Sequence, residues 1–271
     1  MESNFRPSQD MLLTDDELRL SAYIFQLKGD PSEELLKIGS TIGTRQHFMT
    51  LCPDRVIDKK IIELMAVKLN WNQHNTDAQP AWILPPRFAE AVLKGKMSED
   101  LLPDFAEEWM AAFETLKYIY VPIMEPNGHW YLMVASMDET VIYLVDCHLN
   151  SQQTAARKRS IRTIGKVIGR MMFSSYYPHN YLEGNFELGT WDIEEARSCE
   201  DHSTSTQQST ICTLEWMQMD DVFMSNLLPR VEDKLVRMKA AMKLLNGPHN
   251  ENLEMVVEKA QKFWESQMSC E

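Results

Sequence analysis

The chain has 271 residues, 44% of them hydrophobic, with seven Trp. That is enough apolar material for a packed core in one large domain with appendages or two small ones, and it excludes a disordered chain. A formal net charge of −13 excludes broad binding to nucleic acid or anionic membrane, which needs a cationic surface, and leaves room for a basic partner.

The first thirteen residues, opening MESNFRPSQD, are polar and carry no apolar signal core; a flexible lead-in is expected. Thr14-Asp15-Asp16-Glu17 has the form of a capping box ahead of an amphipathic helix reaching Leu27. Asp30-Pro31-Ser32-Glu33 repeats cap, Pro and Glu, which predicts a second, short helix ending near Gly39. Arg55–Asn70, with Ile61, Ile62, Leu64, Met65, Val67 and Leu69, predicts a mostly buried helix, and Asn72–Gln79 a polar loop. The prolines of Trp82-Ile83-Leu84-Pro85-Pro86 make that segment short and extended. Helices are expected over Arg87–Lys94 and Ser98–Lys117.

Tyr118–Leu149 reads as three β segments, Tyr118–Ile123, Tyr131–Ser136 and Val141–Val145, joined by a loop with Pro126, Asn127 and Gly128 and by a polar turn. Ser151–Phe173 is a strong helix: Ile161, Ile164, Val167, Ile168 and Met171 form its apolar stripe. Its cations, from Arg157 to Arg170, are a solvated face first, and a nuclear-targeting or acidic-partner patch second. Tyr176–Thr206 is expected to be irregular, with an acidic patch at Asp192, Glu194 and Glu195. Helices follow over Ile211–Leu227, Pro229–Leu245 and Asn252–Met268, the last two divided by Gly247-Pro248. Helices, then a sheet, then helices indicate an α+β fold. The expected domains are 1–50 (N-terminal segment and helices), 51–228 (the central domain) and 229–271 (a helical extension).

The chemistry gathers at two strand ends. His129 opens the middle strand and Asp146 closes the last, seventeen residues on. In an antiparallel hairpin those ends are neighbours, so a carboxylate can hold one ring nitrogen and fix the tautomer. The five Cys (Cys52, Cys147, Cys199, Cys212, Cys270) are odd in number and scattered, which suits reduced thiols in an intracellular compartment, nuclear or cytoplasmic. Cys147-His148 and Cys199…His202, with Cys212, match no standard zinc spacing, and Gly165-Lys166 lacks the rest of a phosphate loop, so neither a metal nor a cofactor is expected. No stretch approaches the roughly 18 apolar residues of a membrane span.

Gly128-His129-Trp130-Tyr131-Leu132, with Asp146 at that spacing in YLVD, resembles the ubiquitin-like-modifier proteases, the SUMO-protease (Ulp-type, C48) papain-like family. Trp82-Ile83-Leu84-Pro85, the IYVPI strand and Leu214-Glu215-Trp216-Met217 are similar to plant, transposon-associated members. The resemblance covers about Asp54 to Phe223. It implies a papain-like cysteine-protease fold, a central antiparallel or mixed sheet flanked by helices, and hydrolysis after the Gly-Gly tail of a ubiquitin-like modifier. It also implies a His–Asp–Cys triad with a Gln upstream of the Cys, and Trp82 and Trp130 at the substrate cleft. Ungapped alignment puts Ser209 at the Cys position and Ser203 at the Gln position. Three readings follow in order. Ser209 has replaced the thiol and the domain is a pseudo-protease, with a non-catalytic modifier-binding module as the alternative from a different class. A shifted register makes Cys212 the nucleophile, with Gln207 or Gln208 as oxyanion donor. Or Ser209 is a true serine nucleophile.

Overall fold

Thr14 begins the described structure's first long helix as its sequence requires: its hydroxyl accepts from the Glu17 amide at 3.3 Å while the Glu17 carboxylate accepts from the Thr14 amide at 2.8 Å, opening α1 (Asp15–Ile24). This computed structural model describes residues 3–75, 80–111, 116–148, 151–174, 187–196, 206–219 and 231–268. The chain divides into two units, Met1–Trp71 with Val231–Glu271, and Asn72–Arg230.

The expected helix from Asp30 to Gly39 is instead strand β1 (Glu34–Ile38), paired antiparallel with β2 (Thr41–Thr44) through a turn in which Gly39 takes φ +55°. Asp30 does accept from the Ser32 amide at 2.9 Å and the Ser32 hydroxyl at 2.8 Å. The same side-chain chemistry that starts a helix here closes an Asx turn. Leu35, Leu36 and Ile38 are all buried, so pairing and burial decide the outcome. Two helices follow, α2 (Arg45–Met49) and α3 (Lys59–Asn75).

The second unit is built on a five-stranded mixed sheet in the order β3-β4-β5-β6-β7. Its strands are β3 (Ala81–Ile83), β4 (Tyr118–Met124), β5 (Trp130–Ser136), β6 (Val141–Val145) and β7 (Asp192–Ala196). The three central strands form the expected antiparallel meander. β5 is buried along its whole length, which makes it the spine of the core. The two edges are parallel to their neighbours and so need crossovers. α4 (Pro86–Leu93) and α5 (Ser98–Trp109) lie between β3 and β4 in the chain, and α6 (Ser151–Met172) lies between β6 and β7. β7 falls within the segment expected to be irregular. Its sequence, DIEEA, is acidic, and only Ala196 is buried, so its edge position explains why no strand pattern is visible. α7 (Thr206–Trp216) packs on β5; the rest of the expected Ile211–Leu227 helix beyond Met219 lies outside the described residues.

α8 (Asp233–Leu245) and α9 (Leu253–Met268) return to the first unit. The Arg237 guanidinium donates to the carbonyls of Thr50 and Cys52 at 3.2 and 3.1 Å, and the Asn250 amide to the carbonyl of Leu35 at 3.0 Å. Glu33 collects donors from three elements: Tyr23 at 2.5 Å, Arg45 at 2.5 Å and Lys259 at 2.8 Å. Burial pushes the Glu33 carboxyl up, but these donors and the Arg45 charge outweigh it and hold it at about 2, against an ordinary 4.5. A depressed carboxyl stabilises the folded state in full above 4.5 and loses that contribution as pH falls towards 2. Glu33→Gln is therefore expected to be less stable than wild type at pH 7, with the difference closing over that acid range in urea titrations. Parallel acid limbs would contradict this.

Candidate active site

The turn Glu125-Pro126-Asn127-Gly128 aims the site. The Gly128 amide donates to the Glu125 carbonyl at 2.9 Å, and the Glu125 amide to the His129 carbonyl at 2.8 Å. Gly128 takes φ +85°, the left-handed residue that such a three-residue hairpin loop requires. The Asn127 side chain accepts from the His129 amide at 3.0 Å. His129 thus enters β5 from a fixed direction.

Register does the rest. Val145 pairs with Leu132, so Asp146 falls beside Tyr131, two residues from His129 and on the same face. His129 Nε2 lies 2.9 Å from Asp146 Oδ1, and both groups are buried. A carboxylate only accepts, so Nε2 carries the proton and Nδ1 is left as the basic nitrogen. The His148 amide also donates to Asp146 Oδ1, at 2.9 Å.

Sequence reasoning placed Arg157 among solvated cations. It is instead 1% exposed, and its guanidinium donates to Asp146 Oδ2. It also donates to the two Glu125 oxygens at 3.0 Å each and to the His148 carbonyl at 2.8 Å, with Tyr131 beneath it at 5.5 Å. Burial opposes the Arg157 charge, but Glu125 and Asp146 more than restore it. A clue was present: Arg157 lies four residues before Ile161 and seven before Ile164, on the apolar stripe. Burial pushes the Tyr131 hydroxyl well above its ordinary value.

Ser209 is fully buried near the N-terminus of α7, and its Oγ accepts from the Trp130 amide at 3.0 Å. The structure therefore brings Ser209 against the residue that follows His129. It brings Cys212 against the residue that follows Asp146. The neighbouring Cys147 sulfur, together with burial, pushes the Cys212 thiol far above its ordinary range. The Gln208 amide, 3.7 Å from the sulfur, pulls the other way and is outweighed. A thiol so placed is a poor source of thiolate.

Trp130 is buried on β5. Trp82, also buried, sits on β3, and its indole N–H donates to the Ala111 carbonyl at 2.8 Å. The Gln207 side chain, Ser203, Cys199 and His202 lie outside the described residues. Among the described residues, no three His, Cys, Asp or Glu are grouped to hold a metal ion, and no helix is long and apolar enough to cross a membrane.

Residues 89–210 match the family model of the Ulp1 protease family, C-terminal catalytic domain. The fold is similar to that of the SUMO protease Ulp1 with its catalytic cysteine oxidised to a sulfonic acid (TM-score 0.62, 13% identity, 91% of this chain and 97% of that one). It is also similar to the C-terminal Ulp1 protease domain in complex with Smt3, the yeast ortholog of SUMO (TM-score 0.60, 14% identity, 86% and 95% covered). A third is the Chaetomium thermophilum Ulp1-like SUMO protease catalytic domain (TM-score 0.58, 15% identity, 94% and 99% covered). At these identities the likeness establishes the fold. No curated protein matches the chain in sequence. The mixed sheet flanked by helices is thus the Ulp1 catalytic-domain fold, and residues 89–210 within it are similar to the catalytic domain of that protease family.

Proposed function

We propose that this domain recognises the Gly-Gly tail of a ubiquitin-like modifier and has lost the thiol that would cleave after it, with Ser209 standing in its place. The observation that carries the reading is the bond from the Trp130 amide to Ser209 Oγ, one residue from the His129–Asp146 pair. In a complete site, His129 Nδ1 would take the proton of the nucleophile, and Asp146 would hold Nε2 and stabilise the imidazolium. A serine hydroxyl is a far weaker nucleophile than a thiolate, and this one is fully buried. The burial of Cys212 against Cys147 speaks against the shifted-register alternative. In this reading the protease domain spans 51–228, Trp82 and Trp130 shape the tail channel, the domain is of the plant, transposon-associated type, and the protein works in the nucleus or cytoplasm.

The test uses SUMO ending in Gly-Gly, fluorescently labelled for titration, and the same modifier carrying a C-terminal vinyl electrophile for trapping. The full chain is expected to bind the first and to form no adduct with the second, and Cys212→Ala is expected to change neither result. An adduct lost in Cys212→Ala would establish Cys212 as the nucleophile. Absence of binding across a panel of modifiers would remove the recognition reading.

A further inference from the structure

The exposed face of α6 carries a feature that the proposed site does not use. Arg159, Arg162, Lys166, Arg170 and Phe173 are all exposed. At 100° per residue they fall within about 80° of one another, a single stripe roughly 21 Å long. None of the four cations forms an ion pair with a described residue, whereas Lys158, off the stripe, pairs with Glu195 at 2.5 Å. Four aligned cations on a chain of net charge −13 form a local field opposite in sign to the rest of the molecule.

The stripe ends in a cavity of about 520 Å³ lined by Lys166, Gly169, Arg170, Phe173, Glu187, Leu188 and Gly189. Its floor is set by a close approach of two glycines. A Cβ on Gly189 would stand 2.3 Å from Lys166 Cγ and 3.0 Å from the Arg162 carbonyl oxygen, and one on Gly165 would stand 3.3 Å from Gly189 Cα. The Leu188–Thr190 3-10 turn can therefore lie directly on α6. Phe173, 45% exposed, forms an apolar wall.

We propose that this stripe and cavity bind an acidic polypeptide segment, with carboxylates along Arg159, Arg162, Lys166 and Arg170 and one aliphatic or aromatic side chain in the cavity against Phe173. The dimensions agree. An extended peptide places same-side side chains about 6.6 Å apart, close to the roughly 6 Å rise between cations four residues apart on the helix. Glu187 at the cavity fixes the polarity, because it repels a carboxylate there and leaves the place to an apolar group. The apolar wall and the strongly acidic remainder of the chain favour a peptide over a nucleic acid, whose dense phosphates would meet repulsion outside the stripe.

The test is fluorescence anisotropy on the full chain with a labelled twelve-residue Glu-rich peptide containing one Leu. Comparison probes are the same peptide with Leu replaced by Ser, and a twelve-nucleotide single-stranded RNA. The Glu/Leu peptide is expected to bind, more weakly as salt rises, and Arg162→Glu with Arg170→Glu is expected to raise Kd at least about tenfold. Lys28→Glu with Lys239→Glu, an equal charge change at exposed places elsewhere, is expected to stay within about twofold. Phe173→Ala is expected to erase the preference for Leu over Ser. Equal losses in the two charge-reversed pairs, tighter binding of RNA than of peptide, or no peptide binding at low salt would each overturn the proposal. Circular dichroism of each variant confirms the fold. None of the substituted residues belongs to the His129, Asp146 and Ser209 cluster, so this outcome is independent of modifier binding.

Discussion

A Ser209→Cys variant is expected to form a covalent adduct with a modifier carrying a C-terminal vinyl electrophile, at least about a hundredfold faster than wild type. The position has what a thiolate needs. It lies in the first turn or so of α7, where the helix dipole favours an anion, and the Trp130 amide already points at the Oγ from 3.0 Å. A free thiol titrates near 8.5, and such surroundings bring it to roughly 3.5–7.5. In the reaction the thiolate adds to the vinyl carbon to make a thioether, and the proton held by His129 passes to the neighbouring carbon. Intact mass spectrometry reads the adduct. Its formation is expected to vanish in Ser209→Cys with His129→Ala and to persist in Ser209→Cys with Cys212→Ala. An inert Ser209→Cys variant of unchanged Tm would mean that this buried place is closed to the tail, and the assignment of Ser209 would fail.

The second large effect concerns the guanidinium behind the site. Arg157→Met is expected to cost about 3–5 kcal/mol, a fall in Tm on the order of 10 °C. Arg157 is 1% exposed and Asp146 fully buried, so the substitution strands one carboxylate in the interior and frees Glu125, which is 20% exposed. The Arg157→Met, Asp146→Asn double variant is expected to recover part of the loss, because a neutral amide is cheaper to bury than an unpaired charge. Thermal and denaturant unfolding of the full chain measure both. A loss below about 1 kcal/mol would mean that Asp146 is held by His129 and the His148 amide alone.

The parts of this domain that could be read in advance are those whose information is local. β4, β5 and β6 are aromatic and β-branched runs divided by turn residues, with Gly128 at the one left-handed position of the first loop. The pairing of His129 with Asp146 follows from that meander, because a two-residue side-chain period and a fixed register determine which strand ends meet. β1 was misread because Asp30, Pro31 and Ser32 make the same local bonds in an Asx turn as in a helix cap, and only pairing with β2 and the bonds exchanged with Asn250 distinguish them. β7 was missed because an edge strand can be acidic without cost, its Glu195 being held by Lys158. Arg157 was misplaced because a buried guanidinium looks like any other cation until its two carboxylates, one eleven and one thirty-two residues away, are seen together.

The bonds from Arg237 to Thr50 and Cys52, and from Asn250 to Leu35, also bear on how the molecule is made. They span 185 to 215 residues of chain. During synthesis the segment that begins at Met1 waits for its partners until residues beyond Val231 have left the ribosome, at roughly 5–20 residues per second. The intervening unit, Asn72–Arg230, is complete before then and can form its sheet first. For some seconds or longer, α1 and the β1–β2 hairpin expose the apolar side chains that α8 and α9 later cover. The nascent protein is therefore most exposed to chaperones and to aggregation at α1 and the β1–β2 hairpin, which are made before the intervening unit and closed after it.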